Sequence, residues 1–231
     1  MKYMGSKARI AKYILPIILK DRKPDQWYVE PFVGGANMID KVEGRRIGAD
    51  VNELLISALM NIRDDILTMP KTNLEFTEND YKNRAWNFPD FKGFASFAYS
   101  YSGKFWGGWC RDGENKRDYV NESYKNAVKQ SPKLQGVQFI WDSYNELKIP
   151  DESIIYCDPP YANTTKYKDD FNHTVFWQWC RDMSDKGHQV FISEYNAPDD
   201  FECLWKKEIQ SGLNTNSTKK GIEKLFKYKA A

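Results

Sequence analysis

Two apolar segments, each running into a helical stretch through a short connection, constrain this chain more than any other feature. Trp27 to Val33 reads as a short buried strand that ends at Gly34-Gly35. A short helix fits Ala36 to Val42. Arg45 to Asp50 (RRIGAD) reads as a second strand. Leu54, Leu55, Ala58, Leu59, Ile62, Ile66 and Leu67 then recur at helical spacing behind Asn52, a capping residue. Strand, helix, strand and helix in quick succession are the mark of a parallel sheet. The N-terminus adds a further helical pattern, with Ile10, Tyr13, Ile14, Ile17 and Ile18 on one side. Ser6 is placed to cap that helix, and Pro16 is expected to kink or split it.

The character changes from Tyr81 to Gly136, a stretch rich in aromatic, glycine and basic residues with weak periodicity. We read 81–136 as a small insert on a sheet domain made of 1–80 and 137–231. Strand candidates return at Val137–Trp141, Ser153–Cys157, His188–Ser193, Cys203–Ile209 and Lys224–Lys229. A helix is expected near Thr174–Met183.

The 231 residues are 41% hydrophobic and 15% aromatic, enough apolar material for a sizeable core, which argues against wholesale disorder. No stretch approaches the roughly 20 apolar residues of a membrane-spanning helix. The most apolar early run, Ile14 to Leu19, is short, contains Pro16 and lacks a cleavage signature, so a cytosolic-type chain is expected. Cys110, Cys157, Cys180 and Cys203 lie far apart, which points to free thiols, and two histidines, His173 and His188, cannot build a histidine-rich metal site. The net charge of +2 is unevenly spread. Residues 1–80 are neutral, 81–136 carry +5, 137–205 carry −8 and 206–231 carry +5. Two basic blocks around an acidic one suit a chain that meets a polyanion with selected surfaces, or an ordinary lysine-rich surface.

Four motifs carry chemistry. Asp158-Pro159-Pro160-Tyr161 follows the apolar run SIIYC. Proline cannot continue a ladder, so the two rings make a rigid loop. That loop presents one carboxylate, one free carbonyl and one aromatic ring at the carboxyl end of a strand, where open α/β sheets bind ligands. Glu30-Pro31-Phe32-Val33-Gly34-Gly35 leads a strand through glycines into a helix start, which offers free amide donors. Asp50, at the tip of the next strand, is a carboxylate suited to ribose hydroxyls. Tyr3-Met4-Gly5-Ser6-Lys7 is a loop entering a helix.

In this order the four segments closely resemble the Dam-like (D12) class of S-adenosylmethionine-dependent DNA adenine-N6 methyltransferases. The matches are YMGSK (3–7), EPFVGG (30–35), ADVN (49–52) and DPPY (158–161). Asn216 to Tyr228, with Lys219, Lys220, Glu223 and Leu225, resembles the family's C-terminal strand segment. Two positions depart from the family pattern: Ser6 stands where a second glycine is usual, and the glycine loop reads VGGAN rather than VGAG.

The resemblance implies a mostly parallel twisted sheet with helices on both faces, a Rossmann-like methyltransferase fold, with 81–136 as target-recognition insert. It implies methyl transfer to the N6 amine of an adenine flipped out of double-stranded DNA. Asp158 and the Pro159 carbonyl would accept the amine hydrogens, Pro160 would stiffen the loop, and Tyr161 would stack on the base. Asp50 would hold the cofactor ribose. Tyr3, Lys7 and Asp158 would lie near the cofactor, with Phe32 and Gly34 at its methionine end. In the insert, Lys104, Arg111, Lys116 and Arg117, interleaved with Trp106 and Trp109, have the mixture of a nucleic-acid surface. At least one of Phe105, Trp106 and Trp109 is expected to be core. No metal is implied, and a monomer or weak dimer in the cytoplasm of a bacterial or phage-infected cell is expected. Related Pro-Pro-Tyr motifs also serve amines of cytosine, RNA bases or glutamine side chains. The acidic first residue together with EPFxGG favours adenine. A decayed domain that binds DNA without turnover is the non-enzymatic alternative.

Overall fold

The computed structural model describes residues 1–114, 116–161, 171–210 and 220–229. Seven strands make one sheet: β1 (Tyr28–Glu30), β2 (Arg46–Asp50), β3 (Val137–Trp141), β4 (Ile154–Cys157), β5 (Gln189–Glu194), β6 (Phe201–Gln210) and β7 (Lys220–Tyr228). Their order is β3-β2-β1-β4-β5-β7-β6. The first five pair in parallel, and β7 enters antiparallel between β5 and β6. β4 is apolar at every position because both its faces are covered. Ile154 and Tyr156 face one core, and Ile155 and Cys157 face the other.

The first core is shared by four helices: α1 (Ala11–Ile18), α2 (Glu53–Asp64), α4 (Lys92–Ala98) and α5 (Tyr119–Leu134). The second is closed by α6 (His173–Asp185), which buries Phe176, Trp177, Cys180 and Met183. A short helix, α3 (Glu78–Lys82), precedes α4 and has a capping box formed by Thr77 and Asp80. The sheet with helices on both faces is the expected one. Among the described residues no helix is long and apolar enough to cross a membrane.

The sequence expectations differ from the structure at a few places, each with a cause. The strand expected over 27–33 stops at Glu30, because Pro31 has no amide to donate. The helix expected over 36–42 is only a 3₁₀ turn, Ile39–Lys41. Gly34 and Ala36 both hold positive φ, and Gln130 Nε2 donates to the Gly35 and Ala36 carbonyls at 3.1 Å each. The Ala36 carbonyl still accepts from Asp40 N at 3.4 Å, but positive φ at Gly34 and Ala36 is not helical backbone, so no regular helix starts here. At the N-terminus, Ser6 caps a 3₁₀ turn, Lys7–Arg9, before α1 begins at Ala11, and α1 runs through Pro16 to end at Ile18. The Asn52 cap is present, with Leu55 N donating to its Oδ1 at 3.2 Å, but α2 stops at Asp64 and leaves Leu67 exposed in a separate turn.

Residues 81–136 contain α4 and α5, which periodicity does not reveal. From Gly93 to Ala98, α4 is buried all round, so it has no polar face to mark a period. α5 buries Ser123, Gln130 and Ser131 along with Val120, Ala127 and Leu134, so its apolar stripe is thin. Both helices join the core of α1 and α2. The loop between them, 99–118, carries the aromatic and basic run and is tied by a bridge between Ser100 and Trp109.

Candidate active site

β1, β2 and β4 run in parallel, so their carboxyl ends bring Glu30-Pro31, Asp50 and Asp158-Pro159 to one edge of the sheet. The N-terminal loop and β7 close over that edge.

Lys7 is the hub of the β4 side. Its side chain is 9% exposed, and Nζ lies 2.9 Å from Asp158 Oδ1 and 3.9 Å from Glu223 Oε2. Nζ also donates to the Gly5 carbonyl at 3.2 Å and sits 4.4 Å from the centre of the Tyr161 ring. The Tyr161 hydroxyl donates to Glu223 Oε2 at 2.7 Å, and the edge of the Tyr161–Tyr195 pair closes at 4.6 Å between ring centres. Burial drives the Asp158 carboxyl above the usual carboxylate range, while the Lys7 ammonium pulls it back down. Burial works against the Lys7 ammonium, yet Asp158 and Glu223 together hold it above the ordinary lysine value. The Tyr161 phenol is pushed well up by burial and by the two carboxylates. The site thus holds one ammonium between two carboxylates, beside an aromatic ring, at the mouth of a rigid Pro-Pro loop.

The β1–β2 side is built around Gly34. Its φ is +49°, and a Cβ there would stand 2.9 Å from Tyr3 Cε1. Only glycine lets the Tyr3 ring lie against this turn. Gly34 N donates to Asp50 Oδ2 at 3.4 Å, and Asn52 N donates to Asp50 Oδ1 at 3.0 Å. Burial raises the Asp50 carboxyl to about 6, against which the two backbone amides pull. Tyr3 is held from the other side by Phe97, at 5.6 Å between ring centres, and Met4 N donates to the Gly103 carbonyl at 3.2 Å. Tyr3, Gly34 and Asp50 therefore form one group. Lys7 stands with Asp158 and Tyr161. Phe32 belongs to neither and packs among Tyr144, Phe171 and Phe176 at 5.3–5.8 Å.

Of the four cations singled out in 81–136, Arg111 pairs with Glu78, Lys116 with Glu114 and Arg117 with Glu122. Lys104 lies in the exposed loop that supports Tyr3. Trp106 and Trp109 are half-buried against the core, and Phe105 is exposed. His188 is buried and accepts from Ser153 N at 3.2 Å through Nδ1, and the His173 ring packs against Phe171, so both are structural. Glu194 is buried and accepts from Tyr195 N, whereas Asn196 accepts from Lys224. The segment resembling the C-terminal strand falls partly on residues 216–219, outside the described residues.

Two residues at this site, Glu223 and Tyr195, were given no role from sequence. Glu223 stands in the segment that resembles the family's C-terminal strand, a resemblance that attaches no role to it. Alternation along the final strand would have placed it on the same face as Leu225, whose side chain is fully buried.

Residues 3–88 match the family described as D12 class N6 adenine-specific DNA methyltransferase, which takes in YMGSK, EPFVGG and ADVN. The Type II methyltransferase M.FokI of Planomicrobium okeanokoites is 23% identical over an alignment of 258 residues, covering 96% of this chain and 36% of that protein. A DNA adenine methylase of Vibrio cholerae is 28% identical over 188 residues, covering 70% of this chain and 64% of that one. The chain thus spans about a third to two thirds of the length of these relatives. A solved methyltransferase structure complexed with SAH aligns at a TM-score of 0.35 and 10% identity, covering 96% of this chain and 53% of that one. Over its first 88 residues by family pattern, and more widely by its named relatives, the chain is similar to the D12-class DNA adenine methyltransferases.

Proposed function

We propose that this chain transfers a methyl group from S-adenosylmethionine to the N6 amine of an adenine flipped out of double-stranded DNA. The observation that carries this reading is the end of β4, where Asp158 is held beside Tyr161 by a buried ammonium. An exocyclic adenine amine is a poor nucleophile because its lone pair is delocalised into the ring. Asp158 and the Pro159 carbonyl can each accept one N–H bond. Two such bonds draw the nitrogen toward tetrahedral geometry and favour the positive charge that develops as it attacks. Flipping a base out of a duplex requires a few kcal/mol, and stacking on Tyr161 offsets part of that. Bound S-adenosylmethionine supplies the methyl group. Its fit is supported by Asp50, a half-buried carboxylate beside the glycine turn with lone pairs left for ribose hydroxyls. In this reading Tyr3 and Gly34 line its methionine end, where an aromatic face near a sulfonium contributes about 0.5–2 kcal/mol, and Phe32, packed among Tyr144, Phe171 and Phe176, stands apart from them. One copy of the chain holds every residue invoked, which suits a monomer or weak dimer. A bacterial or phage-infected cytoplasm is where its two substrates meet.

The reading assigns target recognition to 81–136, mainly to the loop over 99–118. Exposed ion pairs are weak, so DNA phosphates can displace Glu114 and Glu122 from Lys116 and Arg117. Replacing both cations by alanine is expected to flatten the slope of log K against log salt by about one to two units. Specific and random DNA should weaken alike, because phosphate contacts carry no base information. Arg111 is the candidate for base reading, and its loss should relax sequence stringency while leaving the slope nearly unchanged. Binding titrations across a salt series check both.

Asp50 gives a pH dependence. Its carboxyl is raised to about 6, and ribose hydroxyls bond best to the ionised form. Cofactor affinity should therefore fall as pH drops through 6 and be about tenfold weaker at pH 5 than at neutral pH. In Asp50→Asn the affinity should be lower at neutral pH and flat across this range. Calorimetric titration of the cofactor at several pH values checks this. The reading as a whole is tested by incubating the purified chain with plasmid DNA and labelled S-adenosylmethionine. Label should enter the DNA, and its absence would remove the reading.

A further inference from the structure

We propose that Glu223 is a positioning residue of the amine site: it anchors the Tyr161 hydroxyl and gives Lys7 a second carboxylate, so that Asp158 is released to receive the substrate amine. This rests on the methyltransferase reading above and assigns a role to a residue on β7, far from the four motifs.

The geometry sets a problem that a second carboxylate solves. Lys7 Nζ already forms an ion pair with Asp158 Oδ1 at 2.9 Å. A substrate amine must donate to the same carboxylate, whose negative charge Lys7 already offsets. An ammonium fixed there also opposes the positive charge that builds on the amine nitrogen during attack. Glu223 Oε2 stands 3.9 Å from Nζ, about one ångström beyond a hydrogen bond. A lysine side chain covers that distance by small torsional changes, and the ammonium then passes from Asp158 to Glu223 without being left unpaired.

The anchor is already made. Tyr161 donates to Glu223 Oε2 at 2.7 Å, which fixes the ring that would stack on the base. Glu223 is held in turn by its strand. β7 is wedged between β5 and β6, and Leu225, two residues on, is fully buried. The charged and titratable groups that face Glu223 come from every neighbouring element. They are Lys7 before α1, Tyr156 on β4, Asp158 and Tyr161 after β4, Tyr195 after β5, and Lys207, its register partner on β6. The Glu223 charge raises the Asp158 carboxyl, and Lys7 lowers it.

Two variants separate the parts. Glu223→Gln keeps an oxygen for the Tyr161 hydroxyl and removes the charge offered to Lys7. Single-turnover methylation should slow about tenfold or more, with DNA and cofactor binding within about twofold of wild type. The acid limb of its pH–rate profile should move to lower pH, because removing a like charge lowers the Asp158 carboxyl. Glu223→Ala should also lose the Tyr161 anchor, raise KM for DNA, and reduce the fluorescence of 2-aminopurine placed at the target base. A purely structural glutamate would change thermal stability and leave the acid limb in place. Glu223→Asp, which keeps the charge, should be faster than Glu223→Gln, and the two Asp and Gln variants being equally slow would overturn the charge role. Wild-type rate and an unmoved acid limb in a folded Glu223→Gln protein would overturn the Glu223 assignment alone, since the wild type would still methylate DNA. A wild type that transfers no methyl group to DNA would overturn the methyltransferase reading and this one with it.

Discussion

Asp158→Ala should lose methyl transfer by about 10²–10³-fold or more while keeping the fold, as for other preorganised acceptors placed where charge develops. The side chain is partly buried, and its removal leaves Lys7 with a second carboxylate at Glu223, so no ammonium is stranded. Asp158→Asn should fall between, because an amide oxygen still accepts one N–H bond but carries no charge to favour the developing cation. The wild-type rate should decline at acidic pH. Burial raises the Asp158 carboxyl, and its protonated form no longer offers a charged acceptor. Single-turnover rates, with far-ultraviolet circular dichroism to confirm folding, test this. Near-normal methylation by a folded Asp158→Ala protein would mean that the amine is activated elsewhere.

Gly93→Ala should destabilise the protein by about 2–3 kcal/mol, although alanine is the better helix former by up to about 1 kcal/mol. A Cβ on Gly93 would stand 2.2 Å from the Leu54 carbonyl oxygen and 3.1 Å from Ala58 N, both backbone atoms of α2. Backbone cannot rotate away as a side chain can, so α4 must lift off α2. That opens gaps around Phe94, Ala95 and Phe97, which are all buried. Overpacking of this kind outweighs the propensity gain. The melting temperature should fall by on the order of 5–10 °C. Phe97 also backs Tyr3, so cofactor affinity should weaken with it. A higher melting temperature than wild type would show that the two helices have room to spare.

Much of this architecture is legible in the chain because strand ends and chemistry coincide. SIIYC and RRIGAD are short apolar runs ending in Asp158 and Asp50, and a parallel sheet brings such ends to one edge. Asn52 marks its helix start because its side chain does locally what it does in the fold. What periodicity misses are places where tertiary contact replaces local pattern. α4 is buried on all sides, and α5 buries Ser123 and Gln130, whose polar atoms find partners only in the folded chain. The helix expected over 36–42 is likewise replaced where Ala36 takes a positive φ and the remote Gln130 donates to the Gly35 and Ala36 carbonyls. The site follows the same division. Asp158, Tyr161, Gly34 and Asp50 announce themselves in local motifs. Glu223 meets Lys7 and Tyr161 only because β7 inserts antiparallel beside β5, and no spacing along the chain encodes that meeting.

The chemistry of the acceptor is the point on which everything else turns, and one product analysis reads it directly. Duplex DNA incubated with the wild-type chain and S-adenosylmethionine is digested to nucleosides and analysed by mass spectrometry. N6-methyladenine as the methylated nucleoside is the expected result, and it should vanish in Asp158→Ala. N4-methylcytosine, or no methylated nucleoside from a folded protein that binds the cofactor, would contradict adenine as the acceptor held by Asp158 and Pro159.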